Sequence, residues 1–310
     1  MEENLISSKI AFNEVCKLGN IVVKRGTNKR LLAEAENMLY LEKNSQVRIP
    51  KLYAAYTKPN PHSKSFGVNY LIMEYIEGEM MTEERFKTFD DEVQELFVSK
   101  LAEQFRLLRS IPSEGYYGRV YKQPFHARLP IFRTNHLDPS GPYNSFDEVF
   151  QAMYTSVQMR CAEQPRDELH PIEISYIERF YEMVPRAKGT EPVLTLMDCS
   201  FDNLIAKPIE DNAGKIVDWK MTFIDIDMFG WLPAFLQVYC AKLFYLYDDE
   251  TGKTFNRRLA AGISEEDYST EVDFLLRWTV IATVVSELCR LAYFRANADC
   301  CCRSTYVLSC

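Results

Sequence analysis

Asp198 and Asn203 stand five positions apart in Asp198-Cys199-Ser200-Phe201-Asp202-Asn203, and a second acidic knot, Asp225 and Asp227, begins 22 residues further on. Carboxylates and carboxamides supply hard oxygen ligands for Mg²⁺, and a carboxylate can orient or accept the proton of an attacking hydroxyl. Phosphoryl transfer from a nucleotide needs that set of groups. The spacing alone is weak support, because Asp and Asn are also ordinary turn residues. The flanking residues strengthen it. Val193, Leu194 and Leu196 read as a strand leading into the loop, and Leu204 and Ile205 begin another. Asp211-Asn212-Ala213-Gly214 is a turn signal, after which Met221, Phe223 and Ile224 return in extended form. A loop followed by a hairpin thus brings Asp225 back to Asn203.

The elements around this stretch fall into two groups. Near the start, Lys17-Leu18-Gly19-Asn20 predicts a tight turn between strands over Phe12–Cys16 and Ile21–Lys24. A helix over 28–44 follows, with Leu31, Leu32, Ala35, Met38, Leu39 and Leu41 on its apolar side and Glu34 and Glu36 in its first half. Strands over 51–56 and 70–76 complete a β-β-α-β-β unit, which Glu77-Gly78-Glu79 breaks. The rest reads as mostly helical: 90–110, ended by Pro112, then 145–160, 170–184, 233–247 and a region over 264–297 that is either one helix or a broken one. The irregular stretch 112–145 is rich in Pro, Gly and aromatic residues. Its Tyr116, Tyr117, Tyr121 and Phe125 either wall a pocket or pack onto the helical part. The expected fold class is α+β and two-lobed. Residues 1–76 form a small sheet lobe with one helix, 77–297 a larger, mostly helical lobe, and 298–310 a Cys-rich tail.

Composition narrows the options. The chain has 310 residues, 47% apolar and 26% charged, as expected of a soluble globular protein with a large core. Lys and Arg number 36 against 44 Asp and Glu, a net charge of −8, which argues against nucleic acid as the main partner. An acidic surface suits an amine-bearing small substrate. No apolar run is long enough to span a membrane, and the acidic start Met1-Glu2-Glu3 is unlike a secretory leader, so a cytoplasmic location with reduced thiols is expected. The Cys300-Cys301-Cys302 cluster matches no zinc template. The four His (His62, His126, His136, His170) show no ligand spacing. No Walker loop, nucleophile elbow or dinucleotide fingerprint occurs.

Taken in order, several blocks resemble the aminoglycoside phosphotransferase and choline kinase family, with its protein-kinase-like fold, and in particular fungal members of it. Val22-Val23-Lys24 resembles the family's lysine-bearing strand, and Glu34-Ala35-Glu36-Asn37-Met38 its helix start. Arg48-Ile49-Pro50 and the hinge-like Tyr70–Gly78 follow. Met197–Asn203 resembles H-G-D-x-x-x-x-N, and Phe223–Pro233 resembles I-I-D-W-E-x-A-G-W-x-P. Coverage runs from about residue 10 to about 245.

The resemblance implies an ATP- and Mg²⁺-dependent transfer of phosphate to a hydroxyl of a small molecule. It implies that Lys24 holds the α- and β-phosphates and pairs with Glu34, with Glu36 as the rival for that pairing. It implies a hinge at Met73, Glu74 and Ile76, where the backbone of Glu74 and Ile76 meets the adenine edge. Asp198 would be the catalytic base, and Asn203 and Asp225 the metal ligands, with Asp227 assisting them or capping the next helix. The chain departs from the family pattern in having Leu196-Met197 where His-Gly is usual, and no Gly-rich loop before Lys24, where only Ser7-Ser8 are small. Those departures define the alternative: a nucleotide-binding protein that keeps the fold with little or no turnover, or one recruited to other chemistry.

Overall fold

The computed structural model describes residues 13–60, 63–125, 140–162, 171–244 and 250–277. Ser7-Ser8, the four His, the far half of the helix expected over 264–297 and the Cys-rich tail lie outside the described residues.

The first group of elements forms an antiparallel sheet carrying one helix. Strands β1 (Glu14–Leu18) and β2 (Ile21–Gly26) precede α1 (Arg30–Asn44), and β3 (Leu52–Asn60) and β4 (Ser63–Glu74) follow, in the order β1-β2-β4-β3. The expected β-β-α-β-β pattern is present, with β4 starting seven residues earlier than Tyr70 because it pairs along the whole of β3. Gly19, at φ 60, makes the tight turn between β1 and β2. Alternation along β2 sends Val22 and Lys24 to the buried face. Helix α1 buries Leu31, Ala35, Met38 and Leu41, as its period requires, and it also buries Glu34 and Asn37. Buried polar groups on an apolar face must have partners elsewhere.

The second group is larger and mainly helical. It runs through β5 (Glu79–Met80), α2 (Glu83–Lys87), α3 (Asp91–Arg109), α4 (Phe146–Ala162) and α5 (Pro171–Met183). Then come β6 (Pro192–Leu196), β7 (Leu204–Glu210), β8 (Ile216–Phe223), β9 (Phe229–Pro233), α6 (Phe235–Phe244) and α7 (Glu250–Ile263). Helix α3 is the spine. Asp90 caps it by accepting from the Val93 N–H at 2.9 Å, a contact worth ~1 kcal/mol, and Asp91 and Glu92 suit its positive end. Its Phe97, Leu101 and Phe105 are fully buried, each contributing about 1.5–3 kcal/mol through burial. Phe97 and Phe86 pack with Phe201, beside the acidic loop, and Phe105 packs on Phe223 at 5.1 Å.

Two small sheets carry the acidic stretch, β5-β7-β8 and β6-β9. The β7–β8 hairpin is the one the turn signal predicts. The Asp211 carboxylate accepts from the N–H groups of Ala213 and Lys215, and Gly214 takes φ 79. Strand β9 is missing from the sequence reading. Its residues are buried without alternation, Trp231 at 0% exposure, so no period-2 signal marks them. Helix α7 lies where the sequence predicts no helix, and in the region expected over 264–297, which the sequence allows to be broken, helical structure starts at residue 269, with a break at 264–268 after α7. The break has a local cause, since Ser264 Oγ accepts from the Glu266 N–H and the Asp267 carboxylate from the Ser269 N–H. In the long irregular stretch, Tyr116, Tyr117 and Phe125 are buried against this lobe, and Tyr121 is exposed. No helix among the described residues is long and apolar enough to cross a membrane.

Candidate active site

Lys24 Nζ lies 2.8 Å from Glu34 Oε1 and 2.9 Å from Asp225 Oδ1. The first partner comes from α1 and the second from the far end of the β7–β8 hairpin, so one ammonium joins the two lobes. Lys24 and Glu34 are 6% and 2% exposed, and burial at that level requires the pairing. Glu36 is not the partner of Lys24. It lies about 200° round the helix and meets Arg119 Nη2 at 2.8 Å and Gln123 Nε2 at 3.1 Å.

Asp225 takes a left-handed φ of 55, a region where Asp is less disfavoured than most residues. Two backbone bonds fix the turn: Phe223 N–H to Arg48 O at 3.0 Å and Ile224 N–H to Asn203 O at 2.9 Å. The second sets the Asp225 turn against the Asn203 backbone, as the hairpin requires. Asn203, buried in the short 3-10 turn Phe201–Asn203, donates its Nδ2 to the backbone carbonyl of Asp198 at 3.3 Å. Asp227 is not a helix cap, because β9 follows it rather than a helix. Its Oδ2 meets Arg30 Nε at 2.5 Å, from the first turn of α1.

The electrostatics are those of crowded carboxylates. Burial pushes the Asp198 carboxyl up, and Asp225 pushes it further, against hydrogen bonds from Asn203 and Ser200. Asp227 is also raised, by burial first, against the opposing pull of Arg30. Burial, with help from Asp225, lifts Glu34 to about 7 in spite of Lys24. For Lys24, burial pulls downward, but Glu34 and Asp225 together outweigh it and hold the ammonium charged. Among the described residues, Glu34, Asp198, Asp225 and Asp227 share the cations Lys24 and Arg30, four carboxyl groups to two cations. That excess and the oxygen-only donors fit a hard divalent cation. No group of three or more His, Cys, Asp or Glu side chains among the described residues forms a ready-made cage. An ion that keeps waters and shares phosphate oxygens needs only one or two protein carboxylates. Burial pushes the thiols of Cys199 and Cys240 up, Cys240 to about 12, so neither is poised as a nucleophile.

Three contributors have no obvious sequence signal. Gln237, fully buried on α6, accepts from Leu196 N–H at 2.9 Å and donates to Leu196 O at 3.1 Å. It braces the loop from the position where His is absent. Asn37 Nδ2 donates to the Ile226 carbonyl at 2.7 Å, and Arg30 holds Asp227. At the expected hinge, Met73 is buried in β4, and the Glu74 N–H is committed to Lys51 O at 2.9 Å. The Ile76 backbone makes no hydrogen bond among the described residues. Gly78 ends this segment at φ 149, where a Cβ would come within 2.6 Å of Ile205. Two surface concavities elsewhere, one between Met183 and Phe274 and one along α4, include none of these residues.

No family model matches the chain, and no curated protein matches it. Solved structures do. Wild-type aminoglycoside 2'-phosphotransferase-IIIa in complex with GDP superposes with a TM-score of 0.58 at 16% identity, over 94% of this chain and 86% of that one. An aminoglycoside phosphotransferase in a ternary complex with streptomycin and ATP gives 0.54 at 17%, over 90% of each chain. A choline/ethanolamine kinase family protein from Mesorhizobium loti gives 0.54 at 13%, over 95% of this chain and 83% of that one. These likenesses establish the fold, which is two-lobed and protein-kinase-like.

Proposed function

We propose that the chain is a small-molecule phosphotransferase of the aminoglycoside phosphotransferase and choline kinase family, of the fungal type, using ATP and Mg²⁺ to phosphorylate a hydroxyl. The observation that carries this reading is the Lys24 ammonium held between Glu34 of α1 and Asp225 of the hairpin. Few other chemistries call for a buried ammonium poised between two lobes and beside excess carboxylate. That the neighbours in fold were solved with GDP, or with streptomycin and ATP, agrees with it.

The residues divide the work as follows. Lys24, fixed by Glu34, faces the phosphates. Adenine lies against the hinge Met73–Ile76. There the Glu74 carbonyl and the Ile76 N–H are the groups to offer, since the Glu74 N–H is taken. The division of the chain at 76 follows from that hinge. Asn203 and Asp225, with Asp227 behind them on Arg30, hold Mg²⁺, which supplies charge neutralisation on the phosphates when bound. Asp198 orients the acceptor hydroxyl and takes its proton. Burial and the neighbouring Asp225 raise its carboxyl, which makes it a readier proton acceptor. Positioning and electrostatics supply most of the rate in such transfers. The acid-rich cleft suits an acceptor bearing an amine.

The second reading, binding without turnover, rests on Leu196-Met197. The Gln237 brace weakens it, because the loop is held without the histidine. Thermal shift with Mg–ATP and ATP consumption over a panel of hydroxyl and amino-alcohol acceptors separate the readings. Stabilisation with turnover supports the first, stabilisation without turnover the second, and no stabilisation at millimolar nucleotide contradicts both.

A further inference from the structure

Residues 116–125 leave the end of α3's lobe and form a tight loop against α1. Arg119 Nη2 donates to Glu36 Oε2 at 2.8 Å, Gln123 Nε2 donates to the same oxygen at 3.1 Å, and Arg119 Nη1 donates to Gln123 Oε1 at 3.0 Å. The three side chains make a closed triangle, with Arg119 only 6% exposed. A guanidinium buried this far needs its counter-charge.

The loop is built to present that arginine. Tyr121 and Lys122 both take left-handed φ, 60 and 55, although neither is glycine. Such residues persist only where the surroundings fix them. Here the Tyr116 hydroxyl accepts from Lys122 N–H at 2.9 Å and donates to Arg119 O at 3.0 Å. Gly118 bonds Trp231 of β9 in both directions, at 3.1 and 2.7 Å, which anchors the loop to the strand that follows the acidic knot. Tyr121 also packs edge-on against Tyr40 at 5.6 Å, one turn along α1 from Glu36.

We propose that Arg119 and Gln123 are positioning residues: by gripping Glu36 from the large lobe they set the rotation of α1 and so keep Glu34 on Lys24. Glu34 and Glu36 lie on nearly opposite sides of one helix, so a rotation that releases one carries the other off its partner. Asn37, between the loop and the acidic knot, ties the same turn to the Ile226 carbonyl. The inference rests on the phosphotransferase reading for the consequence of the Lys24–Glu34 pair, not for its geometry.

The test is acylation of Lys24 by an N-hydroxysuccinimide ester in the full chain without nucleotide, read by mass spectrometry against the exposed Lys51. Glu34→Gln gives the rate of a lysine held by Asp225 alone. Glu36→Gln and Arg119→Gln are expected to raise Lys24 labelling severalfold toward that rate, and Glu36→Gln added to Glu34→Gln to raise it no further. In Mg–ATP affinity the same pair of substitutions is non-additive, whereas a merely structural role would add. Wild-type labelling of Lys24 in folded Glu36→Gln, beside faster labelling in Glu34→Gln, would overturn the proposal. The Glu36 side chain is 43% exposed, so this variant keeps the test decisive should the buried Arg119→Gln not fold. A wild-type chain that binds no Mg–ATP would contradict the phosphotransferase reading and leave the labelling comparison intact.

Discussion

Lys24 Nζ and Asp225 Oδ1 are 2.9 Å apart and 201 residues apart in sequence. One residue belongs to the sheet lobe and the other follows the hairpin of the helical lobe, so their pairing links the two lobes. The buried end of the contact is the costly one. Lys24→Met leaves Glu34 buried without its cation and is expected to destabilise the fold by about 3–5 kcal/mol. Lys24→Met with Glu34→Leu is expected to recover most of that loss, as read from urea unfolding of the three chains.

The position of Glu34 gives stability a pH dependence. Its carboxyl is raised from the ordinary 4.5 to about 7, with burial the leading cause. A raised folded value means that the group's contribution is fully present below about 4.5 and is lost as pH rises through about 7. The wild type should therefore lose stability relative to Glu34→Gln between those values. Tm followed against pH for the two chains checks this, and parallel curves would contradict it.

Gln237 is the structural answer to the missing histidine. Gln237→Leu strands the buried N–H and C=O of Leu196 and is expected to cost ~2–5 kcal/mol. It should also lower turnover more than it weakens Mg–ATP binding, because it loosens the loop that carries Asp198 rather than the nucleotide side. Steady-state kinetics with a KM-against-kcat comparison decides between these effects.

Much of this site was legible in the sequence because it is local. The hairpin that returns Asp225 to Asn203 is written in the turn Asp211–Gly214 and in the apolar residues on either side of it. Spacing could not choose between Glu34 and Glu36. Both are helix glutamates, and the choice depends on Arg119, which approaches from 83 residues away. Gln237 and Asn37 were hidden for the same reason, since a buried amide is identified by its partner and not by its neighbours in sequence. Strand β9 was missed because it is buried on all sides and does not alternate. Helix α7 was missed because its buried stripe is thin, with Phe255, Leu259 and Ile263 set among polar and small residues.

Asp225→Asn removes one negative charge and the interlobe ion pair. The Asp225 side chain is 48% exposed, so solvent screens the pair and the apo fold should lose no more than ~1 kcal/mol. Stabilisation by Mg–ATP should largely disappear, while stabilisation by ATP in the presence of a chelator should change little. Thermal shift under the two conditions checks this.

The central claim is that Asp198 acts on an acceptor hydroxyl beside a nucleotide held at Lys24. The most direct measurement is transfer of labelled γ-phosphate from ATP to a panel of hydroxyl acceptors by the wild type and by Asp198→Ala, with Mg–ATP binding measured in parallel. Transfer by the wild type, a fall of about 10²–10⁴-fold in the variant and unchanged nucleotide binding are the expected result. Transfer by Asp198→Ala at the wild-type rate would contradict the account.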